Sequence, residues 1–191
     1  MMNVARSRSA RSIASWGGFA VLVFYVAGCT SWKLSEPETA TVHPFLPQPA
    51  HLAKVCVIRT SVLEKGVTFV SRDNGVLVGA TRGASYFCYY AEPGDHDLAI
   101  EAEVESSAKL RARPGESYYL KEEVAVLRGK VQGRGVWVDE AVARNMVDDS
   151  SYVLLVGAPG RERVPGDLPF APAKRQLEQL EQLGGSSAND G

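Results

Sequence analysis

Between residues 53 and 122, apolar runs of four to eight residues recur at intervals near ten, and residues that turn the chain cut each one. That cadence leaves no room for a helix between successive runs, so it constrains the fold more than any other feature. Ala53–Arg59 (AKVCVIR) is rich in β-branched side chains. Residues 66–71 and 75–78 flank Arg72-Asp73-Asn74-Gly75, a hairpin signal because Asn and Gly accept positive φ. Ser85–Ala91 (SYFCYYA) is an aromatic strand that runs into the turn Glu92-Pro93-Gly94-Asp95.

Residues 97–104 alternate cleanly, with Leu98, Ile100, Ala102 and Val104 on one face. Asp97, Glu101 and Glu103 then point to water, as in a half-buried antiparallel strand. Residues 108–112, the turn Arg113-Pro114-Gly115-Glu116 and residues 117–122 read as a further hairpin. Residues 136–138 read as one more strand, Asp139 as the N-cap of a short helix over 140–146, and residues 152–156 as a final strand. The expected fold is mainly all-β: an antiparallel β-sandwich or small barrel with one short helix, spanning residues 52–157.

Flanking segments differ in kind. Residues 29–51 carry Pro37, Pro44, Pro47 and Pro49, and proline favours extended backbone without ladder hydrogen bonds, so a tether is expected rather than a sheet. From Gly157 the chain turns rich in Pro and Gly, and residues 158–191 are read as a flexible tail. Within it, residues 173–183 (AKRQLEQLEQL) form a short helix with Leu177, Leu180 and Leu183 three apart. Eleven residues are marginal as an isolated helix, so this one needs a partner surface, on its own sandwich or on another protein.

The N-terminus has the layout of an export signal. Arg6, Arg8 and Arg11 precede an uncharged run over residues 13–28. As a helix those 16 residues would reach about 24 Å, short of the roughly 30 Å hydrocarbon layer. The junction Val26-Ala27-Gly28-Cys29 resembles the lipobox of bacterial lipoproteins: an aliphatic residue and two small ones ahead of a cysteine. The resemblance implies a diacylglyceryl group on the Cys29 thiol and cleavage between Gly28 and Cys29, so that acyl chains hold the mature protein to membrane lipid. The other readings are a conventional signal peptide with Cys29 as a chance residue, and an uncleaved anchor. Thr30 stands where an aspartate would signal retention at the inner membrane, so the outer membrane facing the periplasm is expected.

Removing the leader's three arginines leaves 18 basic against 22 acidic side chains, a net charge of about −4. A mildly acidic body lacks the electrostatic footprint of a nucleic-acid binder. No cofactor motif is present: there is no Gly-x-Ser-x-Gly elbow, phosphate loop, CxxC pair or His-Glu-x-x-His. His43 and His51 lie in the proline-rich stretch without a cysteine or carboxylate cluster, so no metal is expected there.

With Cys29 consumed by lipid, Cys56 and Cys88 remain as an even pair in an oxidising compartment, either bridged or packed reduced as small hydrophobes. Asp95-His96-Asp97 has the residue types of a general base, but adjacent strand residues point to opposite faces. The competing use of His96 is to close the Pro-Gly turn by hydrogen bonding. Tyr86, Phe87, Tyr89, Tyr90, Tyr118 and Tyr119 are either an aromatic face for a ligand or partner, centred on Tyr86, Tyr90 and His96, or cross-strand pairs and core.

Two motifs carry a resemblance over roughly residues 52–148. One is the aromatic strand running into Pro93-Gly94-Asp95-His96, and the other is Gly115-Glu116-Ser117-Tyr118-Tyr119. Together they resemble the bacterial family called domain of unknown function 2846, small β-rich domains often carried by lipoproteins. The resemblance implies a β-sandwich and supplies no catalytic residues. Members often have Arg-Pro after the first strand; Arg59-Thr60-Ser61 keeps only the arginine. The expectation that follows is a non-enzymatic envelope lipoprotein with a structural or protein-interaction role; the alternative is a periplasmic small-ligand binder or an enzyme with a site near His96.

Overall fold

The computed structural model describes residues 31–37, 40 and 42–167. In chain order these give β1 (Lys33–Ser35), β2 (Ala53–Arg59), β3 (Thr68–Asp73), β4 (Val76–Arg82), β5 (Ser85–Ala91), β6 (Gly94–Glu101), β7 (Glu105–Ala112), β8 (Ser117–Leu127) and β9 (Lys130–Val138). Helix α1 (Glu140–Asp148), β10 (Ser151–Tyr152) and β11 (Leu154–Gly157) follow. One sheet has the order β10-β5-β2-β8-β9, a second the order β4-β3-β6-β7, and β1 pairs with β11 as a small third. The all-β sandwich is present, and the sheets do not close into a barrel.

Three apolar layers hold these sheets. Val55, Val57, Phe87 and Leu120 of the larger sheet meet Phe69, Leu98 and Ile100 of the smaller one between the two. Burying a side chain of that size stabilises the fold by about 1.5–3 kcal/mol. On the outer face of the larger sheet, Cys56, Ile58, Tyr86, Cys88 and Tyr119 are covered by Ala143 and Met146 of α1. On the outer face of the smaller sheet, Val70, Leu77 and Ala80 are covered by Leu155 together with Trp32 and Leu34. Strand β2 is therefore covered on both faces, and all seven of its residues are buried, Lys54 and Arg59 included.

Two glycines let the main sheets approach. A Cβ on Gly79 would fall 2.3 Å from the Phe87 ring, and one on Gly133 would fall 2.7 Å from Ile100 Cγ2. The predicted hairpin turn forms at Asn74 (φ 49°) and Gly75 (φ 82°), with Asp73 paired to Val76 across it. The predicted cap also forms: Asp139 Oδ1 accepts from the Val142 N–H at 2.8 Å, and the helix runs two residues beyond the expected Met146.

Elsewhere the structure corrects the sequence reading. The alternation over 97–104 is one strand only to Glu101; Ala102–Val104 is the link into β7, because the Glu103 and Val104 N–H groups bond Val131 O of β9, in the other sheet, instead of continuing the ladder with β3 or β7. Residues 108–112 and 117–122 are not a hairpin. β7 lies in the smaller sheet and β8 in the larger, so Arg113–Glu116 is a corner between sheets. The Tyr118 hydroxyl pins it, accepting from Arg113 N–H at 3.0 Å and lying 2.7 Å from Glu116 Oε2. β8 pairs with β2 in parallel, a geometry that requires a crossover; the chain returns from β5, the antiparallel neighbour of β2, through β6 and β7 of the other sheet before entering β8. Residues 152–156 divide between β10, parallel to β5, and β11.

The described part of 29–51 is no tether. It supplies β1, the buried Val42 and a strap over residues 44–48, held by Tyr119 Oη donating to Pro44 O at 3.2 Å. Proline excluded ladder pairing only locally; the segment is tied down by side-chain donors instead. Residues 158–167 also return to the body, through Ala158 and Val164 in the outer apolar layer and the Arg72–Glu162 ion pair. The proposed helix over 173–183 lies outside the described residues.

Candidate functional site

His96 sits near the start of β6, where the β5–β6 turn meets the end of β3. Its Nδ1 lies 2.8 and 2.7 Å from the two carboxylate oxygens of Asp73, and its Nε2 lies 2.8 Å from Glu92 O. A carbonyl oxygen only accepts, so Nε2 is a donor and fastens the Pro93-Gly94 turn. Tyr89 Oη adds a third member, donating to Asp73 Oδ2 at 3.0 Å. Burial, and then the nearby Asp73 charge, push the Tyr89 phenol well above 10. Both ring nitrogens of His96 are engaged within the protein, and its side chain is only 10% exposed. A general base needs a nitrogen that reaches substrate, and this arrangement presents none.

The tyrosines separate by strand parity. Tyr86 and Tyr90 lie on the outer face of β5, in the layer beneath α1, where Tyr86 stacks edge-on against Tyr152 at 5.4 Å. Tyr89 faces the opposite way, toward Asp73. Tyr118 pairs with Trp137, and Tyr119 with Phe45. The proposed surface of Tyr86, Tyr90 and His96 is therefore corrected: Tyr86 and Tyr90 pack in the outer apolar layer of the larger sheet, while His96 belongs to the Asp73–Tyr89 network on the opposite side. Alternation along β5 carries the signal, since Tyr86 and Tyr90 are four apart while Tyr89 is odd to both.

Cys56 and Cys88 stand opposite each other in the β2–β5 ladder, with Cα atoms 4.0 Å apart, and their sulfurs are bonded. Of the two sequence readings, the bridge is the one present. Among the described residues no group of three His, Cys, Asp or Glu side chains is arranged to hold a metal.

Sequence reasoning missed the two cations of β2. Lys54 Nζ donates to His43 O at 3.1 Å and to Leu46 O, tying the N-terminal strap to the sheet. Burial lowers its ammonium pKa, and Glu140 partly offsets that. Arg59 donates to Val67 O at 2.9 Å, Leu63 O at 2.8 Å and Glu64 O at 3.0 Å, and stacks over Phe69 at 4.1 Å. Each cation thus holds a loop at one end of the central strand. The signal was available: AKVCVIR has its only charges at its second and last positions, where loops must be fastened.

Beside Arg59, Glu122 is buried between the sheets and accepts from Ser71 Oγ at 3.3 Å and from Thr81 Oγ1. Burial raises its carboxyl pKa to about 7 against the hydroxyl bonds and the Arg59 charge, which lower it. Under the strap, a cavity of about 430 Å³ is lined by Pro44, Leu46, Lys54, Ser117, Tyr119 and Glu140. Neither Tyr86 nor Tyr90 borders it, contrary to what the small-ligand alternative required.

Gly28 and Cys29 lie outside the described residues, as does the segment 173–183 where a helix is expected. Among the described residues no helix is long and apolar enough to cross a membrane. Comparison of the chain with protein-family models, curated proteins and solved structures finds no match.

Proposed function

We propose that the chain is a bacterial envelope lipoprotein, held to the outer membrane through acylated Cys29, whose β-sandwich has a structural or protein-interaction role. The observation that carries this reading is the Cys56–Cys88 bridge. Disulfides persist in oxidising compartments such as the periplasm, which is where a lipobox leader would deliver the protein. The engagement of His96 by Asp73 and Glu92 supports a structural rather than catalytic use of that residue. The motifs that resemble the domain of unknown function 2846 also have structural uses: one ends in the His96 turn and the other forms the Tyr118 corner. Residues 173–183 are the second contact element toward an envelope partner.

Metabolic labelling with a tagged fatty acid, followed by membrane fractionation, tests the anchor. The wild-type chain takes up label and is recovered with membranes, while Cys29→Ser gives an unlabelled, soluble or unprocessed product. Unchanged processing and membrane recovery of Cys29→Ser would sink the reading. Crosslinking in intact cells then identifies the partner.

A further inference from the structure

The ladders define two ends of the sandwich. β2 runs from Lys54 to Arg59, and its parallel neighbour β8 pairs Ile58 with Lys121 and then continues six residues further, to Leu127. At about 3.3 Å per residue that extension approaches 20 Å. β3 begins at Thr68, opposite Arg82 at the end of β4, and Val70 pairs with Glu101 at the end of β6. The β2–β3 loop, Arg82, the β6–β7 link and the β8–β9 tip therefore share the Arg59 end.

That end is unusually apolar at its tips. Val62 (70% exposed), Leu63 (52%), Val126 (47%) and Leu127 (58%) are four of the seven large hydrophobic side chains exposed among the described residues. Two lie in the β2–β3 loop and two at the end of the β8–β9 hairpin. The β8–β9 tip, Val126-Leu127-Arg128-Gly129-Lys130, joins its apolar pair to two cations and no acid, and Lys65 follows Val62 and Leu63. Acids are present as well: Glu64 and Glu105 flank these elements, the exposed Asp148 and Asp149 lie next to Ser150, which donates to Arg59 O, and the Glu103 carboxylate is occupied by the Val131 N–H.

A separate observation places the N-terminal segment at this end. Arg82 Nη2 donates to Trp32 O at 2.9 Å while the same guanidinium holds Thr68 Oγ1, so the N-terminal segment passes the Arg59 end at Trp32. Cys29 is three residues upstream, and three residues span at most about 11 Å. On the lipid-anchor reading, on which this inference rests, the acyl chains enter the bilayer within that distance.

From this juxtaposition we infer that the sandwich rests on the bilayer through its Arg59 end, with Val126 and Leu127, and beside them Val62 and Leu63, in the headgroup layer. Exposed apolar tips flanked by Arg128, Lys130 and Lys65 suit an interface with anionic headgroups, where apolar side chains reach about 5–10 Å. Gly129 and the open turn backbone keep the tip out of the hydrocarbon, where unpaired amides are not tolerated. The Lys54 end, with the strap and its cavity, then points away from the membrane.

The test uses the mature acylated protein in phosphatidylethanolamine–phosphatidylglycerol vesicles containing acyl-chain-brominated lipid. Leu127→Trp and Leu46→Trp place reporters of matched exposure, 58% and 59%, at opposite ends of the sandwich. The expected result is that both variants co-float with vesicles, with quenching beyond the wild-type background at least threefold greater for Leu127→Trp. If both co-float and are quenched equally, or Leu46→Trp more, the orientation is wrong although the anchor holds. If neither co-floats, the anchor reading fails and this inference falls with it.

Discussion

Thr81 Oγ1 on β4 donates a hydrogen bond to Glu122 Oε2 on β8, so an acid with 1% exposure joins the two main sheets. Its carboxyl, at about 7 in the fold, would titrate near 4.5 in the unfolded chain. The folded state therefore binds a proton that the unfolded state releases between those values. Stability from this group is complete below about 4.5, declines as pH rises toward 7 and is lost above it, a change on the order of 3 kcal/mol. Urea unfolding from pH 4.5 to 8 should show that decline, and Glu122→Gln should flatten it. An unchanged slope in the variant would assign the pH dependence to other groups.

The Cys56–Cys88 bridge closes a loop with a sequence separation of 32 between adjacent strands. By the loop-entropy relation, opening it should cost about 3–4 kcal/mol. A thiol assay on the denatured, unreduced mature protein should find neither cysteine free, and reductant should lower the urea midpoint. Two free thiols would refute the bridge.

Local chemistry was legible where one residue type decides the outcome. Asn74-Gly75 supplies the positive φ of a two-residue hairpin, and Asp139 supplies the acceptor for a first-turn amide. Partner choice was not legible, because it depends on residues far apart in sequence. Nothing near Arg113-Pro114-Gly115 distinguishes a hairpin from a corner; that is settled by β8 pairing with β2 about sixty residues earlier. β8 and β9 also run longer than their apolar stretches. Glu123 pairs with Arg134 across the ladder and with Lys121 along β8, and Gly133 and Gly135 make room for Ile100. Of the candidate site, the His96 turn could be read from the sequence, but its partner Asp73 could not, since a hairpin end 23 residues upstream provides it.

Asp73 gives a third test. Asp73→Asn removes the charge facing His96 Nδ1 and the acceptor pair shared with Tyr89, leaving part-buried donors poorly matched. The expected loss is roughly 1–3 kcal/mol in thermal or urea unfolding. His96→Ala should cost a similar amount, and because both residues belong to one network the double variant should lose less than the two losses combined. Additive losses would show that the two side chains act independently.

The contact between Gly79 and Phe87 gives the most direct test of the sandwich itself. Gly79 lies on β4 and Phe87 on β5, in different sheets, and a Cβ at position 79 would fall 2.3 Å from a ring that is 3% exposed. Gly79→Ala should therefore cost about 1–3 kcal/mol through overpacking, although alanine suits a strand better than glycine does. Phe87→Leu alone should also destabilise, by shrinking the core side chain. Combined with Gly79→Ala, it should recover part of the loss, because the smaller side chain vacates the space the new methyl needs. Urea unfolding of the two single variants and the double variant measures that coupling. If Gly79→Ala is neutral, or the double variant shows no recovery, the two sheets do not meet at this contact as described.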